Sequence, residues 1–445
     1  MARGLLFLQC ASLALAFAGC GRVADPSEEP PPELKGRFDP APCPASFAEC
    51  DGDPATVCET DLASSQLNCG ACGQACPSGL FCGPRGCVTA GTTVQVTTDS
   101  YSSCIRRASG QVLCWGRNEF GQLGDGTLTD RIQPAPVHIA DVASLSEGNG
   151  RSMSARLRDG TVVWWGLLEE DAHSRERVLE PVRISGLVSV ALVTTDPHSG
   201  CAIMTDRRLF CWGLDLCGNL GNGTSSATFS KAVVAAHVTG AASVAIGSAT
   251  CAALADGRVE CWGYGGGLGD GSKGTPLPSG CTAGRAEPGF VPGLDDVTEV
   301  KSGGYGGTCA LRGDHGEIAC WGAIDNARAD DPNNRPKLVE GLTGFVRLGG
   351  TGRYHSCALR GDATVWCWGD EPFLFGDPDN VLDYYPRRVP GLKDVVDLSV
   401  GAQHTCALTA SGEVLCWGRN DFGQLGDGTR VARAVPTPVK GLEVP

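Results

Sequence analysis

Sulfur dominates the residues that could do chemistry. The chain holds 24 cysteines against 7 histidines, and thiols in such number either cross-link or bind metal. Eight of them (Cys43, Cys50, Cys58, Cys69, Cys72, Cys76, Cys82 and Cys87) crowd one short segment. Cys69 and Cys72 have the spacing of a zinc-ligand pair, but no second paired motif accompanies them. No βαβ pattern surrounds them, as a redox pair of that spacing requires. Asp51-Gly52-Asp53 is a fragment of a calcium-type loop, too short to hold a cation. His198, His355 and His404 each precede a cysteine by two or three residues. Histidines at one place in a repeat are spread over the molecule, so these read as hydrogen-bonded turn residues. Asp125, Asp270, Asp377 and Asp427 each follow a glycine, where Asp favours tight turns; on a ring they would decorate one rim, a surface for a cation or a basic partner. Gly-x-Ser-x-Gly, Gly-x4-Gly-Lys and His-Glu-x2-His are all absent from the sequence, so no catalytic, cofactor-binding or metal residue is assigned. An enzyme acting on extracellular polymers, with carboxylates gathered from several loops, stays open as the rival to a binding protein.

The N-terminus sets the compartment, and the compartment sets the meaning of the cysteines. Arg3 gives a positive start, and Leu5 to Ala18 is almost continuously apolar. That run is short for a membrane span and reads as a signal peptide, 1–19. Phe17-Ala18-Gly19-Cys20 resembles a bacterial lipobox, with Phe17 where Leu is usual. The resemblance implies cleavage before Cys20 and lipidation of that residue, several acyl chains then anchoring the protein to a membrane. An ordinary secretion signal cleaved near Ala18, leaving Cys20 unmodified, is the alternative. Export to a bacterial cell envelope, at the outer membrane or cell surface, makes disulfides the expected state.

Residues 20–42 carry Pro26, Pro30, Pro31, Pro32, Pro40 and Pro42 among acids, the composition of an extended tether. The module at 43–90 has too little apolar sequence for a core, so cross-links must stabilise it. Eight cysteines give four disulfides of undetermined connectivity. Asn68-Cys69-Gly70-Ala71-Cys72-Gly73-Gln74-Ala75-Cys76 resembles the cysteine-rich modules of stigma-specific-type proteins.

From 91 to 445 the chain repeats itself. Trp-Gly recurs at Trp115, Trp165, Trp212, Trp262, Trp321, Trp368 and Trp417, at steps of 50, 47, 50, 59, 47 and 49 residues. A period near fifty with four strand-like runs per unit is that of propeller blades. In the last unit, a hairpin about Ser411 and Gly412 sets Cys406 opposite Cys416 and Leu408 opposite Val414. Ala407 then opposes Leu415 on the other face. Both faces are apolar, as for a sheet covered on both sides. An open solenoid needs polar end caps; here Cys104 to Thr127 and Cys406 to Thr429 are the best mutual matches, which favours a closed ring. The expected fold is therefore all-β, a seven-bladed propeller preceded by a small disulfide-rich module, a tether and a signal peptide.

Trp417-Gly418-Arg419-Asn420 followed by Gly423-Gln424-Leu425-Gly426, with the His404 element and the apolar pairs before it, resembles the regulator-of-chromosome-condensation repeat family. The resemblance covers about 92 to 445 and is weak after Trp165 and Trp321, where Gly-Gln-Leu-Gly is missing. It implies a seven-bladed propeller working through protein contacts. The family includes guanine-nucleotide exchange factors and secreted β-lactamase inhibitors; export argues against the exchange-factor role.

Six units place a cysteine pair across the hairpin: Cys104 and Cys114, Cys201 and Cys211, Cys251 and Cys261, Cys309 and Cys320, Cys357 and Cys367, Cys406 and Cys416. Unit two has Ser154 and Trp164 instead, so both cysteines are absent together, as bonded partners would be. Opposed residues of antiparallel strands can meet disulfide geometry; buried free thiols are the alternative. Setting aside Cys10 and Cys20, only Cys217 and Cys281 remain. They lie after the Trp-Gly strands of units three and four, on one rim, where a bridge would fasten the long Gly265–Gly289 loop into a binding surface. The net charge of −14 and the lack of Lys/Arg clusters argue against a nucleic-acid surface. The expected role is non-catalytic binding of a protein or polysaccharide partner, without a cofactor.

Overall fold

The computed structural model describes residues 47–50, 60–146, 151–169, 175–196, 198–303, 307–313, 315–322, 334–352, 355–369 and 383–442. Cys20 with its signal and tether, Cys43, Cys58, Asp51 to Asp53 and Asp377 lie outside them.

Seven four-stranded antiparallel sheets follow one another, each from a contiguous stretch of chain with its strands in sequence order. The blades occupy 93–136, 142–183, 190–235, 241–290, 297–338, 345–388 and 395–438, numbered here 1 to 7. Hairpin register is that of paired cysteines: Cys406 faces Cys416, Ala407 faces Leu415 and Leu408 faces Val414. In blade 2, Ser154 faces Trp164, and its hydroxyl donates to Ser146 Oγ at 2.7 Å.

Because each strand alternates its side chains, each blade offers two apolar faces, and the cores lie between blades. Cys104, Cys114 and Leu123 of blade 1 pack on Met153, Ala155 and Trp165 of blade 2. The opposite face of blade 1, with Ile105 and Trp115, packs on Cys406, Leu408 and Val414 of blade 7. The latter contact closes the ring.

The Trp-Gly pair has a local cause. Gly116 sits at φ 106°, and a Cβ there would stand 2.5 Å from the Tyr101 carbonyl oxygen. The strand register shifts at that point, so only glycine lets the third strand bulge while the tryptophan stays in the core. The tryptophan then joins blades: Trp115 Nε1 donates to Gln424 O at 2.8 Å, and Trp165 Nε1 donates to Gln122 O at 2.8 Å. Gly-Gln-Leu-Gly is thus the carbonyl-presenting loop on which the next blade's tryptophan docks.

The N-terminal module is two short hairpins, Phe47–Ala48 with Thr60–Asp61 and Phe81–Gly83 with Gly86–Val88. Cys50–Cys72, Cys69–Cys82 and Cys76–Cys87 bridge it. Cys69 and Cys72 therefore belong to different disulfides.

Candidate functional site: a plugged channel and an aromatic rim

The first strand of every blade lines the central channel, and polar side chains there stitch blade to blade. Asp397 Oδ2 accepts from Val96 N–H at 3.0 Å. Gln95 accepts from Leu145 N–H at 2.9 Å and donates to Leu145 O at 2.8 Å. Ser243 Oγ accepts from Val300 N–H at 3.2 Å, and Glu299 Oε2 accepts from Leu348 N–H at 2.8 Å. All four occupy the third residue of their strand and bind the fourth residue of the next blade's strand. This belt satisfies backbone groups that no neighbouring strand reaches, since adjacent blades do not share a sheet.

One mouth of the channel is closed by the module. Asp61 forms an ion pair with Arg156 of blade 2, while its other oxygen accepts from Ala63 N–H at 2.9 Å. Phe47 lies under the same guanidinium, 5.2 Å from ring centroid to Cζ. Pro84 also lines the cavity.

The opposite rim is built from the loops joining the first to the second strand and the third to the fourth. Blades 1 and 7 carry twin loops here, and each is held by its asparagine. Asn118 Oδ1 accepts from Leu123 N–H at 3.0 Å, and its Nδ2 donates to Asp125 Oδ1 at 3.1 Å. Asn420 repeats this with Leu425 and Asp427 at 3.0 and 3.2 Å. Asp125 also takes Arg131 at 2.8 Å, and Asp427 takes Arg433 at 2.8 Å. Burial raises both carboxyls, but hydrogen bonds from Thr127 and Arg131, and from Thr429 and Arg433, hold them below the usual range. Asp270 pairs with Arg285. The Gly-Asp residues of the described chain are therefore loop locks with their valences filled by their own loops.

Between the twin loops stands a cluster that the sequence did not announce. Arg117 Cζ lies 4.8 Å from the Phe422 ring and 5.5 Å from both Tyr101 and Phe120. Tyr101 meets Phe422 edge-on at 5.5 Å, and Arg151 reaches Phe120 at 5.1 Å. Leu128, Ile132 and Val431 are exposed beside it.

The histidines separate into two kinds. His404 Nε2 and Ser103 Oγ are 2.8 Å apart across the 7–1 seam; His355 Nε2 and Thr405 Oγ1 are 2.8 Å apart across the 6–7 seam. Burial pushes both imidazoles down to about 3, with the neighbouring His355 adding to the effect on His404. They are neutral inter-blade links. His198 is exposed on the rim, one residue earlier in the repeat.

The hairpin bridges run Cys104–Cys114, Cys201–Cys211, Cys251–Cys261, Cys309–Cys320, Cys357–Cys367 and Cys406–Cys416. Each ties two strands of one blade. Cys217–Cys281, with Cα atoms 5.2 Å apart, instead joins the loops of blades 3 and 4.

Regulator of chromosome condensation repeat models match residues 94–122, 349–373 and 395–424, and residues 109–151 and 411–444. The E3 ubiquitin-protein ligase HERC2 of Mus musculus is 30% identical over 359 residues, 75% of this chain but 7% of that protein. The chain thus spans only a small part of that relative. The ultraviolet-B receptor UVR8 of Arabidopsis thaliana is 28% identical over 372 residues, 79% of this chain and 82% of the receptor. Among solved structures, human WBSCR16 superposes with a TM-score of 0.63 at 21% identity, over 74% of this chain and 94% of that one. Prp20p of Saccharomyces cerevisiae gives 0.62 at 20% identity, over 74% and 85%. Matched repeats, seven sheets and shared fold agree: the chain carries regulator-of-chromosome-condensation repeats arranged as a seven-bladed β-propeller.

Proposed function

We propose that the propeller is a non-catalytic scaffold that docks a protein partner on the rim over blades 7, 1 and 2. The carrying observation is the Arg117 cluster with Tyr101, Phe120 and Phe422, edged by exposed Leu128, Ile132 and Val431. Aromatic and arginine anchors beside exposed aliphatics are what protein interfaces concentrate their binding energy on. The solved structure of Prp20p names binding to Gsp1p and histones, which supports the protein class of partner and carries no target across. An enzyme on polymers needs carboxylates converging at one mouth. Burial does push Asp99 up to about 6 and raises Asp196. Asp99 lines the channel, however, and Asp196 lines a separate cavity between blades 2 and 3. Each spends Oδ1 on two backbone amides of its own turn.

The reading places this scaffold outside the cytoplasm, held to a bacterial membrane through a lipidated Cys20. The supports are the signal-like N-terminus and the density of disulfides. Capture from the native envelope, followed by mass spectrometry, tests both parts. The wild-type chain should retain one protein that the Arg117→Ala, Phe422→Ala double variant binds at least about 30-fold more weakly, the loss expected of a hot spot. The N-terminal peptide of the mature protein should begin at a lipid-modified Cys20. Equal retention by the double variant, or recovery of polysaccharide alone, would refute the docking surface; an unmodified Cys20 would refute the anchor.

A further inference from the structure

The charges lining the channel balance in number but not in place: four cations (Arg106, Arg156, Lys301 and Arg347) stand among four carboxylates (Asp61, Asp99, Glu299 and Asp397), yet one guanidinium is left out of the pairing. A cavity of about 520 Å³ runs from Asp61 and Pro84 at the module to Ser100 and Gly401 at the far rim. Arg106 and Arg156 reach it from the second strands of blades 1 and 2, only 4% and 5% exposed. They stand two residues beyond Cys104 and Ser154, where other blades carry Ile203, Ala253, Leu311, Leu359 and Leu408. Charge at an otherwise apolar register, in two adjacent blades, is a local departure from the repeat.

Asp61 engages Arg156. Among the described residues Arg106 has no carboxylate in contact: its Nε donates to Gln95 Oε1 at a long 3.4 Å, and its buried Nη1 has no partner there. Arg156 Nε is likewise unpartnered among the described residues. Asp397, the other nearby carboxylate, is committed to Val96 N–H and to Arg347 at 3.0 Å. A guanidinium does not shed its proton in proteins, so a buried one calls for an anion or a hydrogen-bond acceptor. Burial lowers Arg106 only to about 10, which leaves it charged.

We propose that the channel beneath the module binds a small oxyanion (phosphate, sulfate or a carboxylate) on the free edges of Arg106 and Arg156. The planar forks suit an oxyanion with several acceptor atoms and discriminate against chloride, which offers no such geometry. The module closes the near mouth, so the anion enters from the far rim, along the stitched first strands.

Calorimetric titration of the full-length oxidised chain in detergent tests this, using inorganic phosphate, sulfate and succinate against sodium chloride at matched ionic strength. At least one oxyanion should fill a single saturable site that chloride does not occupy. Arg106→Met should weaken that binding about ten- to a hundredfold, as loss of a hydrogen bond to a charged group implies. Arg106→Lys keeps the buried charge without the fork and should weaken it less; this variant decides the matter should the methionine variant fail to fold. No saturable oxyanion binding to the wild-type chain, or unchanged affinity in Arg106→Lys and Arg106→Met, would overturn the proposal.

Discussion

Removing Asp397 should unlock the ring at a defined place. Each blade is built from its own stretch of chain, so no shared strand clasps blade 7 to blade 1. Loop backbones meet across the seam at Ala402 N–H to Ser100 O (3.2 Å) and Gly428 N–H to Ile132 O (3.0 Å), and side chains make the rest: Asp397 on Val96 N–H at 3.0 Å, Ser399 Oγ on Thr98 N–H at 3.0 Å, and His404 with Ser103 at 2.8 Å. Asp397→Ala strands the buried Val96 amide, which costs about 1–3 kcal/mol. It also leaves Arg347 without its 3.0 Å partner; that guanidinium is 39% exposed, so this adds less than about 1 kcal/mol. The sum is about 1–4 kcal/mol, against about 1 kcal/mol or less for Asp397→Asn, which keeps an acceptor for the amide. Hydrogen exchange reads the effect locally. A 2 kcal/mol loss should speed exchange at Val96 by about 30-fold if its amide opens at the seam. Ser243→Ala should do the same at Val300, between blades 4 and 5, without touching Val96. Unchanged exchange at Val96 in Asp397→Ala, or a uniform acceleration over all blades in both variants, would refute the stitching argument.

Two further outcomes follow from the same geometry. His404 is held near 3 in the folded chain and titrates near 6.5 when unfolded, so the unfolded chain takes up the proton first. Stability is therefore lost as pH falls from about 6.5 to about 3, with a slope of up to about 1.4 kcal/mol per pH unit for each such histidine. Asp99, raised to about 6, opposes this between its ordinary value and 6. His404→Gln should flatten the acid limb of a denaturation-against-pH series by up to one proton; an identical limb contradicts the burial. Removing Cys217–Cys281, which spans 64 residues, should cost about 4 kcal/mol by the loop-entropy model, against about 3 kcal/mol for Cys104–Cys114. Paired Cys→Ser variants compared by chemical denaturation measure this, and a smaller cost for the longer bridge would contradict the model.

The fold was legible because its signals are local and repeated. A hairpin with cysteines opposed fixes the register of Ala407 on Leu415 and Leu408 on Val414, and two apolar faces demand neighbours on both sides. The site was harder to see, because it is made by closure. Tyr101 and Phe422 meet only where the last blade reaches the first, and no spacing records that. Asp61 finds Arg156 across the channel mouth, a contact between two differently built parts of the chain. A signal for Arg106 and Arg156 did exist: charge where the other repeats carry an aliphatic. Strand alternation assigns such a residue to a face, not to an end of the channel, so its meaning stayed hidden. The histidines show the converse error. Grouped by nearness to a cysteine, all three read as turn residues; His198 is one, exposed on the rim, but a one-residue offset makes His355 and His404 the first residues of strands, where they enter the seams.

The seam and the proposed docking rim are one place, and this couples binding to closure. Arg117 belongs to blade 1 and Phe422 to blade 7, and Arg430 of blade 7 reaches Asp130 of blade 1 at 3.2 Å. Any partner seated on both twin loops binds only a ring whose first and last blades are in contact. By linkage such a partner stabilises the closed seam, by about 2.7 kcal/mol at a hundredfold excess over its dissociation constant. That is comparable to what Asp397 contributes there. The six hairpin disulfides cannot substitute, because each stays within one blade. Cys217–Cys281 joins blades 3 and 4, remote from the seam. The covalent cross-links thus make six of the seven blades persistent and leave the closure to hydrogen bonds and packing, which is the part of the ring a rim-bound partner can strengthen.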